Sequence, residues 1–209
     1  MSILNKLACL QGRRDEVPNQ ELAQELAATK DFTGIREIAE NLRNNDQNIA
    51  FDCIKVLYEI GYINSELIAD YVGDFLKLMK SKHNRMVWGA MLALSTIAAT
   101  KADEIYQHVE DLKRVMEKGS VITIDNGIKT LAVVASRHDT YRQEIFPYLL
   151  ECLRTCRPKS VPQYCESSLA AVNAQNKRQF IAVLEKRVED LSAAQAARVK
   201  KVIKEAEKR

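Results

Sequence analysis

Three histidines and five cysteines are the strongest candidates for chemistry in this chain of 209 residues. His83, His108 and His138 stand far apart and none is followed by Glu, so neither a His-Glu metal pair nor an HExxH zinc helix can be built from them. Cys9, Cys53, Cys152, Cys156 and Cys165 are odd in number and irregular in spacing, which argues against a disulfide framework. The last three have no histidine at ligand spacing. No GxxxxGK[ST] or GxGxxG loop is present to cradle phosphates, and no GxSxG elbow to present a nucleophile. No metal, no cofactor and no enzymatic activity are therefore expected. What remains is a pattern of charge. Lys77, Arg114 and Arg154 each follow an acid by three residues, at Asp74, Asp111 and Glu151.

That pattern is legible only against the elements that carry it. The stretch NRMVWGAMLALSTIA, from Asn84 to Ala98, reads as an amphipathic helix capped at Asn84. Stepping back 37 residues puts Phe51 under Trp88, Cys53 under Ala90, Leu57 under Leu94 and Ile60 under Ile97. Stepping forward 37 puts Gly127, Leu131 and Val134 in the same columns, and a further step gives Cys165, Leu169 and Val172. A second helix recurs after each of these. Asp74–Met79 aligns with Asp111–Met116 and then with Glu151–Cys156. The unit is a pair of helices, A then B, which cannot bury its apolar face alone and must stack on its neighbours.

The recurring NRMVWGAMLALSTIA pattern resembles the A helix of HEAT repeats, and the chain resembles the HEAT-repeat and armadillo-type helical solenoids over roughly residues 19 to 191. The resemblance implies an all-α, right-handed superhelix of about five helical hairpins, with the B helices lining its concave face. It is nearly silent on activity, because such solenoids serve unrelated ends. The His-Glu pairs of the di-iron deoxyhypusine hydroxylase type are missing. The alternative is an enzyme or accessory protein on the same frame, such as a DNA-lesion glycosylase or a lyase-like pigment chaperone. The glycosylases need an aromatic and a carboxylate on the concave face. Here the sole Trp, Trp88, shares a column with Phe51 and is expected in the core, between A helices.

Residues 1–18 are expected to be a tail or short helix, and residues 19–209 a single repeat domain closed by a C-terminal capping helix. Capping signals are read at Thr140-Gln143, at Ser160-Gln163 with Pro162 in the first turn, and at Ser192-Gln195. Pro147 is expected to kink or restart its helix. Cys152 and Cys156 align with Phe75 and Met79 and should face the core. Cys53 and Cys165 fall in a column of small residues, where a free thiol acts as a small hydrophobe. Hydrophobic residues make up 46% of the chain, ample for a core, and no apolar run is long enough to span a bilayer. The N-terminus does not read as a signal peptide, so a cytoplasmic location is expected. A net charge of +3, from 31 basic and 28 acidic residues, is too balanced to imply nucleic acid by itself.

Helical geometry then aims the charges. If Ile68, Val72, Phe75 and Met79 centre the buried stripe, Lys77 points almost opposite. Lys77, Arg114 and Arg154, with Asp74, Asp111 and Glu151, are accordingly the expected partner-binding residues of a non-catalytic scaffold. The partner is a protein or peptide, an acidic one included; the oligomeric state is left open. Within that column each base could also pair with its own acid, a contact worth only about 0.2–0.5 kcal/mol. The basic groups Lys80, Lys82, His83 and Arg85, and Arg154, Arg157 and Lys159, suit helix C-termini through the macrodipole alone.

Overall fold

The structure, a computed structural model, describes residues 2–209. Among the described residues there are twelve α-helices and no strand. The chain divides into two compact units, Met1–Thr123 and Ile124–Arg209.

The first unit opens with two short 3-10 turns, Ile3–Lys6 and Cys9–Gln11. They are held down: Leu7 and Ala8 are buried, Ala8 N–H donates to Asn19 Oδ1 at 3.0 Å, and Cys9 N–H donates to Asp52 Oδ2 at 2.8 Å. Helices α1 (Val17–Thr29) and α2 (Phe32–Glu40) form the first hairpin. Helices α3 (Gln47–Ile63) and α4 (Val72–Leu78) form the second. The third is α5 (Asn84–Ile97), a short step α6 (Ala102–Tyr106) and α7 (Val109–Glu117). The A helices α1, α3 and α5 pack directly side by side. The reason is their column of small residues. Cys53 and Ala90 are fully buried, and a methyl group on Gly89 would come within 2.8 Å of the Ile54 side chain. Leu57 and Leu94, and Ile60 and Ile97, fill the next columns with no exposure.

The second unit continues α8 (Val121–Arg137) and pairs it in sequence with α9 (Asp139–Thr155). The fifth hairpin is α10 (Val161–Ser168) and α11 (Lys177–Val188). Helix α12 (Ala193–Glu207) packs on both α10 and α11 and buries Val199, Val202 and Ala206. Its start is the reciprocal Ser192–Gln195 capping box. Five A/B pairs and a closing helix are thus the observed order of an all-α repeat fold.

Several local expectations need correction. Asn84 is already helical; His83 precedes it in an extended conformation and offers no side-chain cap. Helix α9 begins at Asp139, before Thr140, and Ser160 belongs to a 3-10 turn and caps nothing. The fourth A helix is instead capped by Ser120, whose Oγ accepts from Thr123 N–H at 3.3 Å. Pro147 lies inside α9, at an exposed position, and does not end or restart the helix. Leu169, just after α10, and Cys152 and Cys156, at the end of α9, are only half-buried.

Trp88 is likewise not in the core. It is half-buried and lies against Tyr58 of α3, the ring centroids 6.2 Å apart. A fully buried aromatic costs about 3–5 kcal/mol on truncation to Ala, and Trp88→Ala is expected to cost about half that. The emission of this sole tryptophan should be quenchable by acrylamide and red-shifted from that of a buried indole. Emission resistant to quenching would contradict its placement.

Candidate functional site

The B helices present the charges singled out in the sequence. Phe75 and Met79 are buried, as are Ile68 and Val72 just before them, and Lys77 is exposed on the opposite side of α4. Lys77 makes no ion pair among the described residues. Its neighbour Asp74 turns away from it and binds Arg43 Nη2 at 2.6 Å, from the end of the previous hairpin. One repeat later the same arrangement returns. Asp111 binds Lys80 Nζ at 3.2 Å, again from the end of the previous hairpin, and also its own helix neighbours Arg114 and His108. The Lys80 ammonium, with His108 and Arg114, holds the Asp111 carboxyl below the usual carboxylate range. Arg43 and Lys80 are 37 residues apart, as are Asp74 and Asp111, so the inter-repeat pair is itself a repeat feature. Between α2 and α4 a groove of about 320 Å³ is lined by Arg36, Ala39, Glu40, Arg43, Tyr71 and Asp74.

In the second unit Arg154 and Glu151 form the expected i,i+3 pair at 3.4 Å, both side chains largely exposed. Helices α9 and α11 lie side by side, and two clefts open along their seam, each with Gln179 in its wall. One, of about 190 Å³, carries Arg142, Gln143 and Asp139 on its walls. The other, of about 460 Å³, carries Arg154, Lys186 and Arg187 above Ala182 and Val183. Arg187 is 11% exposed and closes the C-terminus of α9. Its guanidinium donates to the carbonyls of Leu153, of Arg154 at 2.9 Å and of Cys156 at 2.8 Å. Those carbonyls have no intrahelical partner, so the cap follows from helix geometry. Arg142 bonds Asp139 and the Ser136 carbonyl, while its Nε is buried without a partner.

A buried cation lies outside the pattern of charges read from the sequence. Lys55 on α3 is 5% exposed, with Nζ 2.8 Å from Glu16 and 2.6 Å from Glu59, above the ring of Tyr58. Burial alone would lower its pKa, but hydrogen bonds to Glu16 and Glu59 outweigh burial and raise it.

The thiols are not activated. Burial, with the Asp52 carboxylate beside it, pushes Cys9 up to about 12; burial raises Cys53 as well and takes Cys152 to about 11 and Cys165 to about 12. Cys156 is also raised by burial, though Arg187 opposes the shift. Thiols raised this way are poor nucleophiles and metal ligands at neutral pH. Among the described residues no group of three or more His, Cys, Asp or Glu side chains is placed to hold a metal ion. No helix among them is long and apolar enough to cross a membrane.

No protein-family model matches the sequence, and no curated protein matches it. Solved structures do match its fold. An engineered protein, 20% identical, aligns over 99% of this chain and 98% of its own with a TM-score of 0.65. A designed armadillo repeat protein in complex with the peptide (KR)4, 14% identical, aligns over 88% of this chain and 86% of its own at 0.65. Computationally designed armadillo repeat proteins for modular peptide recognition align over 98% of each chain at 14% identity and a TM-score of 0.66. The fold is therefore a helical repeat of the armadillo/HEAT type.

Proposed function

We propose that this chain, an armadillo/HEAT-type helical repeat, is a non-catalytic scaffold that binds an extended protein or peptide segment along the face of its B helices. In this reading residues 19–209 act as one repeat domain closed by α12, with residues 1–18 as its N-terminal segment. The observation that carries it is the division of labour among the charges. Asp74 and Asp111 are drawn back to Arg43 and Lys80, which join successive hairpins. Lys77 is left without an ion pair, and one carboxylate, Asp111, is shared by Lys80 and Arg114, with the His108 ring beside it. In the second unit Arg154 is exposed on α9. Exposed cations on consecutive repeats suit a ligand that is itself extended and repetitive. The designed neighbours made for peptide recognition support the same use of the frame.

The test is a phage-displayed random dodecapeptide selection against the purified chain. Wild type should enrich a related set of peptides whose binding weakens with added salt. Changing Lys77, Arg114 and Arg154 together to Glu should abolish that enrichment while the helical circular dichroism is unchanged. Retention of the same peptides by the triple variant would remove these residues from the site, and a selection that enriches nothing would sink the scaffold reading.

A further inference from the structure

We infer that the furrow between α9 and α11 is a docking site for a short acidic segment, its carboxylates lying at the Arg154–Lys186 end. The inference rests on the scaffold reading above and names the class of ligand. The two clefts follow one another along α9 and α11 within the second unit and share Gln179 in their walls; together they are the furrow of this inference. From Gln143 to Arg154 it follows eleven residues of helix, about 16 Å at 1.5 Å per residue. An extended chain covers that distance in about five residues.

The lining has a decided sign. Arg142, Arg154, Lys186 and Arg187 border the furrow, and Asp139 is the one acid among its lining residues. Asp139 is already bound to Arg142. At the other end the carbonyls terminating α9 would repel an anion, and Arg187, which also pairs with Asp190 at 3.2 Å, covers them through three hydrogen bonds. That leaves Lys186, which has no ion pair among the described residues, and Arg154, whose contact with Glu151 is long at 3.4 Å and open to water. Both can turn to a ligand at little cost. Between them Ala182 and Val183 give an apolar floor on which the aliphatic part of a Glu side chain can rest. At the amide end, Gln143 and Gln179 can meet the backbone of the bound segment.

The experiment uses the full chain and three fluorescein-labelled peptides, hexaglutamate, hexaglutamine and hexalysine, followed by fluorescence anisotropy. Hexaglutamate should bind, and hexaglutamine and hexalysine should bind at least about tenfold more weakly. Raising NaCl to about 300 mM should weaken the hexaglutamate complex. Lys186→Glu, at an exposed position, should cost about tenfold or more in affinity, and Lys186→Arg should preserve it. The double variant Lys77→Glu, Arg114→Glu should weaken hexaglutamate binding less than Lys186→Glu does. If Lys186→Glu has no effect and the double variant abolishes binding, the acidic ligand belongs to the first unit. This inference then falls and the scaffold reading stands. Absence of hexaglutamate binding also overturns it, even where the dodecapeptide selection succeeds with peptides of another chemistry.

Discussion

Lys55→Met should destabilise the first unit by about 3 kcal/mol, the lower end of the range for breaking a buried ion pair. The ammonium is held on two sides by Glu16 and Glu59 and lies over the Tyr58 ring. Methionine keeps the stem and its packing, so the loss isolates the charge. Glu59 is left in a site that is 23% exposed, with no cation to face it; Glu16 is 48% exposed and rehydrates more readily, which keeps the cost from the top of the range. A second variant separates lost charge from lost packing. Lys55→Met combined with Glu59→Leu removes the stranded carboxylate and should recover much of the loss. Urea unfolding followed by the emission of Trp88, in the same unit, measures both. An unchanged midpoint for Lys55→Met would show that the pair contributes nothing.

The same residue fixes the direction of a pH effect. Its pKa is raised in the folded chain, so its contribution is complete below the unfolded lysine value of about 10.4 and is lost as pH rises through the folded value. The stability gap between wild type and Lys55→Met should therefore be constant around neutrality and shrink in strongly alkaline solution. A gap that closes on the acid side of neutrality would point to another group.

The repeat was legible because its columns are apolar and periodic. Leu57 and Leu94, and Ile60 and Ile97, are interchangeable members of one packed layer, and hydrophobic period alone places them. The charges were legible only in part. The pairing of Arg114 with Asp111 and of Arg154 with Glu151 follows from helical spacing and occurs. The pairing of Lys77 with Asp74 does not, because Asp74 finds a closer cation in Arg43, 31 positions earlier in the chain. A signal for it existed, since Arg43 and Lys80 move in step with Asp74 and Asp111. Trp88 was misplaced because a column shared with Phe51 gives the face of a helix, not how far the neighbouring helix covers it; Phe51 is itself half-buried. The α9–α11 furrow was out of reach. Its cations come from two helices, and only Arg154 stands in the repeat column.

Arg187→Met should lower the stability of the second unit by about 3 kcal/mol. Hydrogen bonds to a charged group are worth about 1.5–3 kcal/mol each, and this guanidinium makes three to the end of α9, but water can reach the rim and recover part of the sum. The side chain is 11% exposed, and methionine retains its apolar stem. Arg187→Lys is the sharper comparison. A lysine keeps the charge and its favourable interaction with the helix terminus, but one ammonium cannot reproduce a planar fork that reaches the carbonyls of Leu153, Arg154 and Cys156 together. Lysine should therefore restore less than half of the loss. The sole tryptophan lies in the first unit, so the measurement is amide hydrogen exchange across α9, where protection should fall first in the last turn, near Thr155. Full rescue by lysine would mean that charge alone closes the helix, and unaltered protection in Arg187→Met would show that the cap is dispensable.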